Sequence, residues 1–415
     1  MLLRPNKKFK IESYYQLCIG LFVSLFISIL ILKMNPNFAG AKHDSKFYFN
    51  MYEYIRNHKS LIPLELYEVS SSPIFVHFFG FSLLIFGAFY VPVIYLSFIS
   101  MSLISLVFFE KFIRNTNIYI KVILLVAFCG SGYFVSPMLY PTSETPTILF
   151  FILSLYAFLK SKNRRLLAVS IFALVSVRQS MGWLLIVFFL WDLKIWWKVK
   201  SIPFRRIVAT YLLAGISLIV TFIYFNFHFF PDLYINVQPE NIFPLPNFLS
   251  SVQIGISLLT FTLPFLLYEW KFIGITFLAK LFLLFISGIT LCSLIFTHNT
   301  YIGEGLGYLS ILSLNYNVDL IFIVLLSYVG FLSVFFLSQG LNIERKQFLY
   351  LFLVCFLTSS LIIPIPYLRY FQIPIIFCLL LVLDSVVGEI ERSKKWRLVL
   401  IFLGFNATNI LAITF

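Results

Sequence analysis

Asp44, Arg178 and Arg369 are the side chains best placed by type and context to do chemistry at a membrane surface. Asp44 follows shortly after a first apolar run at residues 17–32, and a carboxylate held there can act as a base. Arg178 and Arg369 each lie within a few residues of an apolar run. An unpaired charge in such a place costs about 2.5–3.5 kcal/mol on insertion scales. An arginine kept there is a functional candidate, and its planar fork suits phosphate. Lys280, inside an apolar run, is a weaker candidate because it can snorkel or pair. Glu144, in Tyr-Pro-Thr-Ser-Glu-Thr-Pro, reads equally as a second acid and as an acid favoured by a helix dipole. His43 and His298 join these as substrate contacts. The five histidines (His43, His58, His77, His228 and His298) include no HExxH and no i, i+4 pair, so a metal site has no motif behind it.

The elements that must position these residues are apolar helices. Arg4, Lys7, Lys8 and Lys10 place the N-terminus in the cytoplasm, and residues 17–32 read as a retained signal anchor. Residues 34–88 then form a first extracytoplasmic loop. Within it, Phe47, Met51, Tyr54 and Ile55 share one helical face, and Lys46, Asn50, Glu53 and Asn57 share the adjoining one. That pattern predicts a helix lying on the surface, with Asp44 near its start. Ser70, Ser71 and Ser72 before Pro73 predict an N-cap followed by proline at the first helical position.

The run at 73–109 is either two spans meeting at Pro92, or a surface helix (73–86) followed by one span (89–109). Charge favours the second, because Lys111, Arg114 and every later basic cluster then fall on the cytoplasmic side. Residues 166–177 and 182–197 form a short helical pair around Arg178-Gln179. Further extracytoplasmic loops cover 228–250 and 297–315. The chain is thus expected to be one all-α polytopic membrane domain over 1–415, with about 13 transmembrane helices.

Composition supports that class. Of the 415 residues, 60% are hydrophobic and only 12% charged, where a soluble domain carries about 25% charged. The net charge of +14 could suggest nucleic acid, but the basic residues sit in short clusters between apolar runs, so no nucleic-acid partner is expected. Cys18, Cys129, Cys292, Cys355 and Cys378 show no CxxC spacing and read as small core residues. A Walker GxxxxGK[ST] and an Asp-x-Asp are both missing, so neither ATP-driven transport nor a metal-bound nucleotide-sugar donor is indicated. Gly303-Glu304-Gly305-Leu306-Gly307 lacks the strand–helix context of a nucleotide site. No cofactor is firmly implied.

Two short segments carry a resemblance. Val177-Arg178-Gln179-Ser180 is similar to the Arg-Gln-Thr-Asn segment of the eukaryotic dolichyl-phosphate-glucose α-1,2-glucosyltransferases. Leu368-Arg369-Tyr370-Phe371-Gln372-Ile373-Pro374 resembles that family's late Pro-Arg-Tyr-Phe-x-Ile-Pro segment. The order of a first span, an early outer acid and two outer helices resembles the wider GT-C superfamily of membrane glycosyltransferases. His43-Asp44-Ser45 stands where the family has an Asp-Glu pair, and Ser180-Met181 where it has Thr-Asn.

The resemblance implies an inverting hexosyltransferase that takes sugar from a polyprenyl-phosphate carrier to a glycan or lipid-linked acceptor. It would work on the extracytoplasmic face, in the plasma (inner) membrane of a bacterium or the endoplasmic reticulum of a eukaryote. Asp44 would be the catalytic base, with Arg178, Gln179, Arg369 and Tyr370 among the substrate-binding residues. Two rivals share the all-helical, basic character. A lipid-linked-glycan flippase or other secondary transporter should show internal repeats, which the chain lacks. A polysaccharide polymerase or ligase should carry its larger outer loops late in the chain, whereas the longest one here comes first.

Overall fold

A computed structural model describes residues 41–69, 71–113, 125, 141–199, 203–228, 248–262, 277–296 and 320–361, with 374, 375, 377, 378 and 381. The first apolar run, most of the loop at 228–250, all of that at 297–315, and Arg369, Tyr370 and His298 lie outside the described residues. Among those described there is no strand. Four segments are long and apolar enough to cross a bilayer: Pro73–Ile113, Gln179–Val199, Phe204–Tyr224 and Ile321–Gly340.

The helices run in chain order as α1 (Ala41–His58), α2 (Pro73–Leu83), α3 (Tyr90–Ile113), α4 (Glu144–Leu155), α5 (Arg164–Val177), α6 (Gly182–Val199), α7 (Phe204–Tyr224), α8 (Phe248–Thr262), α9 (Phe277–Phe296), α10 (Leu320–Leu337) and α11 (Ile343–Ser360). The apolar stretch from Pro73 to Ile113 is not one straight rod. Gly87, at φ 51° and ψ −118°, breaks it beyond α2, within a short 3₁₀ segment, Leu84–Phe89. Only glycine takes that conformation without strain. At 11 residues, α2 rises about 16 Å and is too short to cross, whereas α3 with 24 rises about 36 Å and can. The division into a short helix and one span therefore falls where the charge pattern put it. The joint is Gly87, and Pro92 is absorbed in the first turn of α3, where a missing N–H costs nothing.

The face of α1 differs from expectation. Tyr48, Met51, Tyr52 and Ile55 are the buried residues, while Phe47 is exposed. Two tyrosines thus replace Phe47 and Tyr54 on the inward side. Tyr48 can go inside because its hydroxyl finds Ser71 there. The start of α2 differs too. Ser72 occupies the N-cap position and Pro73 the first helical one, yet the Ser72 hydroxyl makes no cap bond and pairs with Thr221 at 2.9 Å instead. Two other helices have conventional caps: Asn163 accepts from the Arg165 and Leu166 amides, and Asn342 from that of Arg345.

Packing separates inward from outward faces. On α7, Ile207, Tyr211, Ala214, Ser217 and Thr221 are buried, while Leu212, Ile216, Ile219 and Ile223 are exposed. Polar groups turn inward and branched aliphatics outward, as a helix in hydrocarbon requires. Helices α8 and α10 cross in near contact: a Cβ on Gly330 would overlap the Gly255 carbonyl, and one on Gly255 would overlap Ser327. Backbones approach that closely only at small residues.

Two ends of the bundle are chemically distinct. At one, Arg164 at the start of α5 pairs with Asp192 of α6, which also accepts from Tyr211 of α7 at 2.6 Å. Lys194 of α6 reaches Gln347 of α11, and Lys160 lies over the Phe112 ring that ends α3. At the other end, a separate aromatic core joins α1, α2 and α3, including Tyr52–Phe79 and Phe79–Phe98 edge contacts at 5.4 and 5.6 Å.

Candidate functional site

With 14 residues, α5 rises about 21 Å, well short of the roughly 30 Å of a hydrocarbon core. Its partner α7 has 21 residues and continues past it. A ladder of hydroxyl contacts marks the levels: Ser176 to Ser217 at 2.7 Å, then Ser72 to Thr221 one turn of α7 further on, then the Tyr224 hydroxyl donating to the Ile62 carbonyl. Where α5 stops, Arg178 is extended at φ −145°, ψ 105°. A single 3₁₀ turn, Gln179–Met181, then starts α6. Broken backbone of this kind is tolerated at membrane depth only when buried in protein. Here the Ser72 amide supplies the cover, donating to the Val177 carbonyl at 3.1 Å.

The Arg178 side chain is only 6% exposed, and its Nη2 donates to Glu144 Oε1 at 3.1 Å. Glu144 is buried as the first residue of α4, so it is both a helix-opening acid and half of an ion pair. Of the two meanings that its sequence context left open, the helix-opening one is realised. Thr147 closes the same turn by donating to the Ser143 carbonyl at 2.6 Å. Gln179 is buried beside the arginine in the 3₁₀ turn.

Tyr48 joins this pair from α1. Its hydroxyl lies 2.6 Å from Ser71 Oγ, and Tyr67 donates to the Ser71 carbonyl at 3.0 Å. Burial, and then the negative field of Glu144, hold the Tyr48 hydroxyl well above the ordinary tyrosine range, against the opposing pull of Arg178 and bonds to Ser143 and Ser71. Tyr48 therefore keeps its proton and stays neutral. His43 and Asp44 fall in the first turn of α1. Asp44 precedes Tyr48 by four residues, about 6 Å of helical rise.

Of the residues singled out from sequence, Arg178, Gln179 and Glu144 are brought together. Asp44 and His43 stand on the helix that reaches them through Tyr48. Arg369, Tyr370 and His298 are outside the described residues. Tyr48 and Ser71 were not singled out, although Tyr48 is one helical turn from Asp44 and that spacing was legible. Among the described residues no group of three or more His, Cys, Asp or Glu side chains is placed to hold a metal. No protein-family model, curated protein or solved structure matches the chain.

A guanidinium buried beside a carboxylate in a low-dielectric interior keeps a field that water screens little. The Tyr48 hydroxyl adds a polar group there without adding charge.

Proposed function

We propose that this chain is an inverting glycosyltransferase of the GT-C type, with about 13 spans and a cytoplasmic N-terminus. It moves a sugar from a polyprenyl-phosphate carrier to a hydroxyl of a glycan or lipid-linked acceptor on the extracytoplasmic face. The observation that carries this reading is the buried Arg178–Glu144 pair at a break between two helices, reached through Tyr48 by the helix that bears Asp44.

The chemistry follows from those groups. The acceptor oxygen attacks the anomeric carbon while its proton passes to the Asp44 carboxylate. The bond from the anomeric carbon to the phosphate oxygen breaks, and its electron pair leaves with the phosphate. That oxygen gains negative charge, which Arg178, with Arg369, stabilises through charge-assisted bonds. Attack and departure on opposite faces invert the anomeric centre. The products are the glycosylated acceptor and the free lipid phosphate.

The test is transfer by the purified protein from radiolabelled polyprenyl-phosphate sugars. Asp44→Asn should lower turnover about 10²–10⁴-fold, the usual contribution of a positioned base, with an unchanged melting temperature. A folded Asp44→Asn protein with full turnover removes Asp44 from the role. Movement of the lipid-linked sugar across vesicles without transfer would replace this reading with a flippase.

A further inference from the structure

Residues 59–69 form a strap between α1 and α2, and the backbone of one residue, Ile62, pins it. The Ile62 amide donates to His77 Nε2 at 2.9 Å, and the Ile62 carbonyl accepts from Tyr224. His77 Nδ1 lies 2.7 Å from the Pro73 carbonyl. An amide can only donate and a carbonyl can only accept. The ring must therefore present a lone pair at Nε2 and carry its proton on Nδ1, which makes it the neutral tautomer. His77 is 8% exposed and Ile62 is 2% exposed, so water does not easily replace either partner.

We propose that His77 is an acid-sensitive latch: the neutral ring holds the strap down over the Arg178 end, and protonation of Nε2 releases it. A proton there sets two N–H groups head to head across the present hydrogen bond. The Pro73 contact survives, because Nδ1–H is retained, so the ring stays on α2 and the strap is what lifts. The groups facing the ring are Tyr67 of the strap and Tyr224 of α7, with ring centroids 6.3 and 5.7 Å away. Glu65, also on the strap, acts on the Tyr224 hydroxyl. Burial lifts the Tyr67 hydroxyl well above the ordinary tyrosine range, so it does not titrate where histidine does.

The strap matters to the site because Tyr67 holds the Ser71 carbonyl while Ser71 holds Tyr48. Opening takes up a proton and closing expels it. The strap is thus closed at high pH and opens as pH falls, with a midpoint below the roughly 6.5 of a free histidine because the clamp must first be broken. The inference concerns the strap alone and does not rest on the transferase reading.

Hydrogen exchange on the full-length protein in nanodiscs tests it, with rates corrected for the intrinsic effect of pH. Between about pH 7.5 and about pH 5, exchange in peptides covering the strap should rise about 10-fold or more, while those from α5 and α6 stay protected. His77→Gln places an amide oxygen near the Nε2 position and should keep the strap protected at both pH values. His77→Phe should leave it unprotected at both. A wild-type strap whose corrected exchange is flat across this range overturns the latch. So does a His77→Gln protein that keeps the wild-type pH dependence, whatever the fate of the phenylalanine variant.

Discussion

Arg178 and Glu144 are 34 residues apart in the chain, and each is nearly sealed from solvent. A buried ion pair stabilises little relative to a packed apolar pair, but removing one member strands the other charge. Arg178→Met and Glu144→Met should each lower stability by about 3–5 kcal/mol. The double substitution should cost less than the sum, a deficit that denaturant titration of the four proteins in detergent would measure. Additive losses would mean that the two do not act as a pair. Each residue was visible in the sequence as a charge near an apolar run, but their meeting was not, because nothing in local spacing says which helix ends share a level. Tyr48 was harder still. It is one aromatic among many in its stretch, and what puts it inside is a serine hydroxyl contributed from 23 positions later in the chain.

Among the elements, the short hairpin of α5 and α6 was the most legible. Its apolar runs are bounded by basic clusters and interrupted by Arg-Gln, and the observed helices agree with that reading nearly residue for residue. The face of α1 differs from the expected one because Tyr48 and Tyr52 turn inward in place of Phe47 and Tyr54. Ser71 partners the Tyr48 hydroxyl, whereas the Tyr52 hydroxyl is buried with no hydrogen-bond partner among the described residues. The crossing of α8 and α10 is set by Gly255 and Gly330, and no charge pattern reports it. Gly330→Ala should force the two backbones apart at a cost of about 1–3 kcal/mol, as overpacking does. Gly288→Ala, in α9 with open space around its Cα, is the control. Thermal unfolding in detergent should separate the two, and equal melting temperatures would refute the close crossing.

On the scale of the whole molecule, Lys160, Arg164 and Lys194 gather at one end of the described helices, and the aromatic core of α1, α2 and α3 lies at the other. Among these basic groups sits Asp192, the one acid of α6, which sequence reading passed over although acids within apolar runs are rare and kept for cause. It binds α5, α6 and α7 at the basic end by accepting from both Arg164 and Tyr211. Asp192→Asn should cost about 1.5–3 kcal/mol, the range for hydrogen bonds to a charged group. It should leave turnover per folded molecule unchanged, because the bundle separates it from the Arg178 end. A fall in turnover at full stability would show instead that the two ends communicate.

The contact between the Ser72 amide and the Val177 carbonyl has a mechanical meaning. It is made by main-chain atoms, so ordinary side-chain variation at either position leaves it in place. It welds the root of α2 to the peptide immediately before Arg178. Any displacement of the cap as a rigid unit must drag the guanidinium with it. Access to the charge without disturbing it has to come from flexing upstream of the weld, where the chain between Lys59 and Val69 crosses over α7.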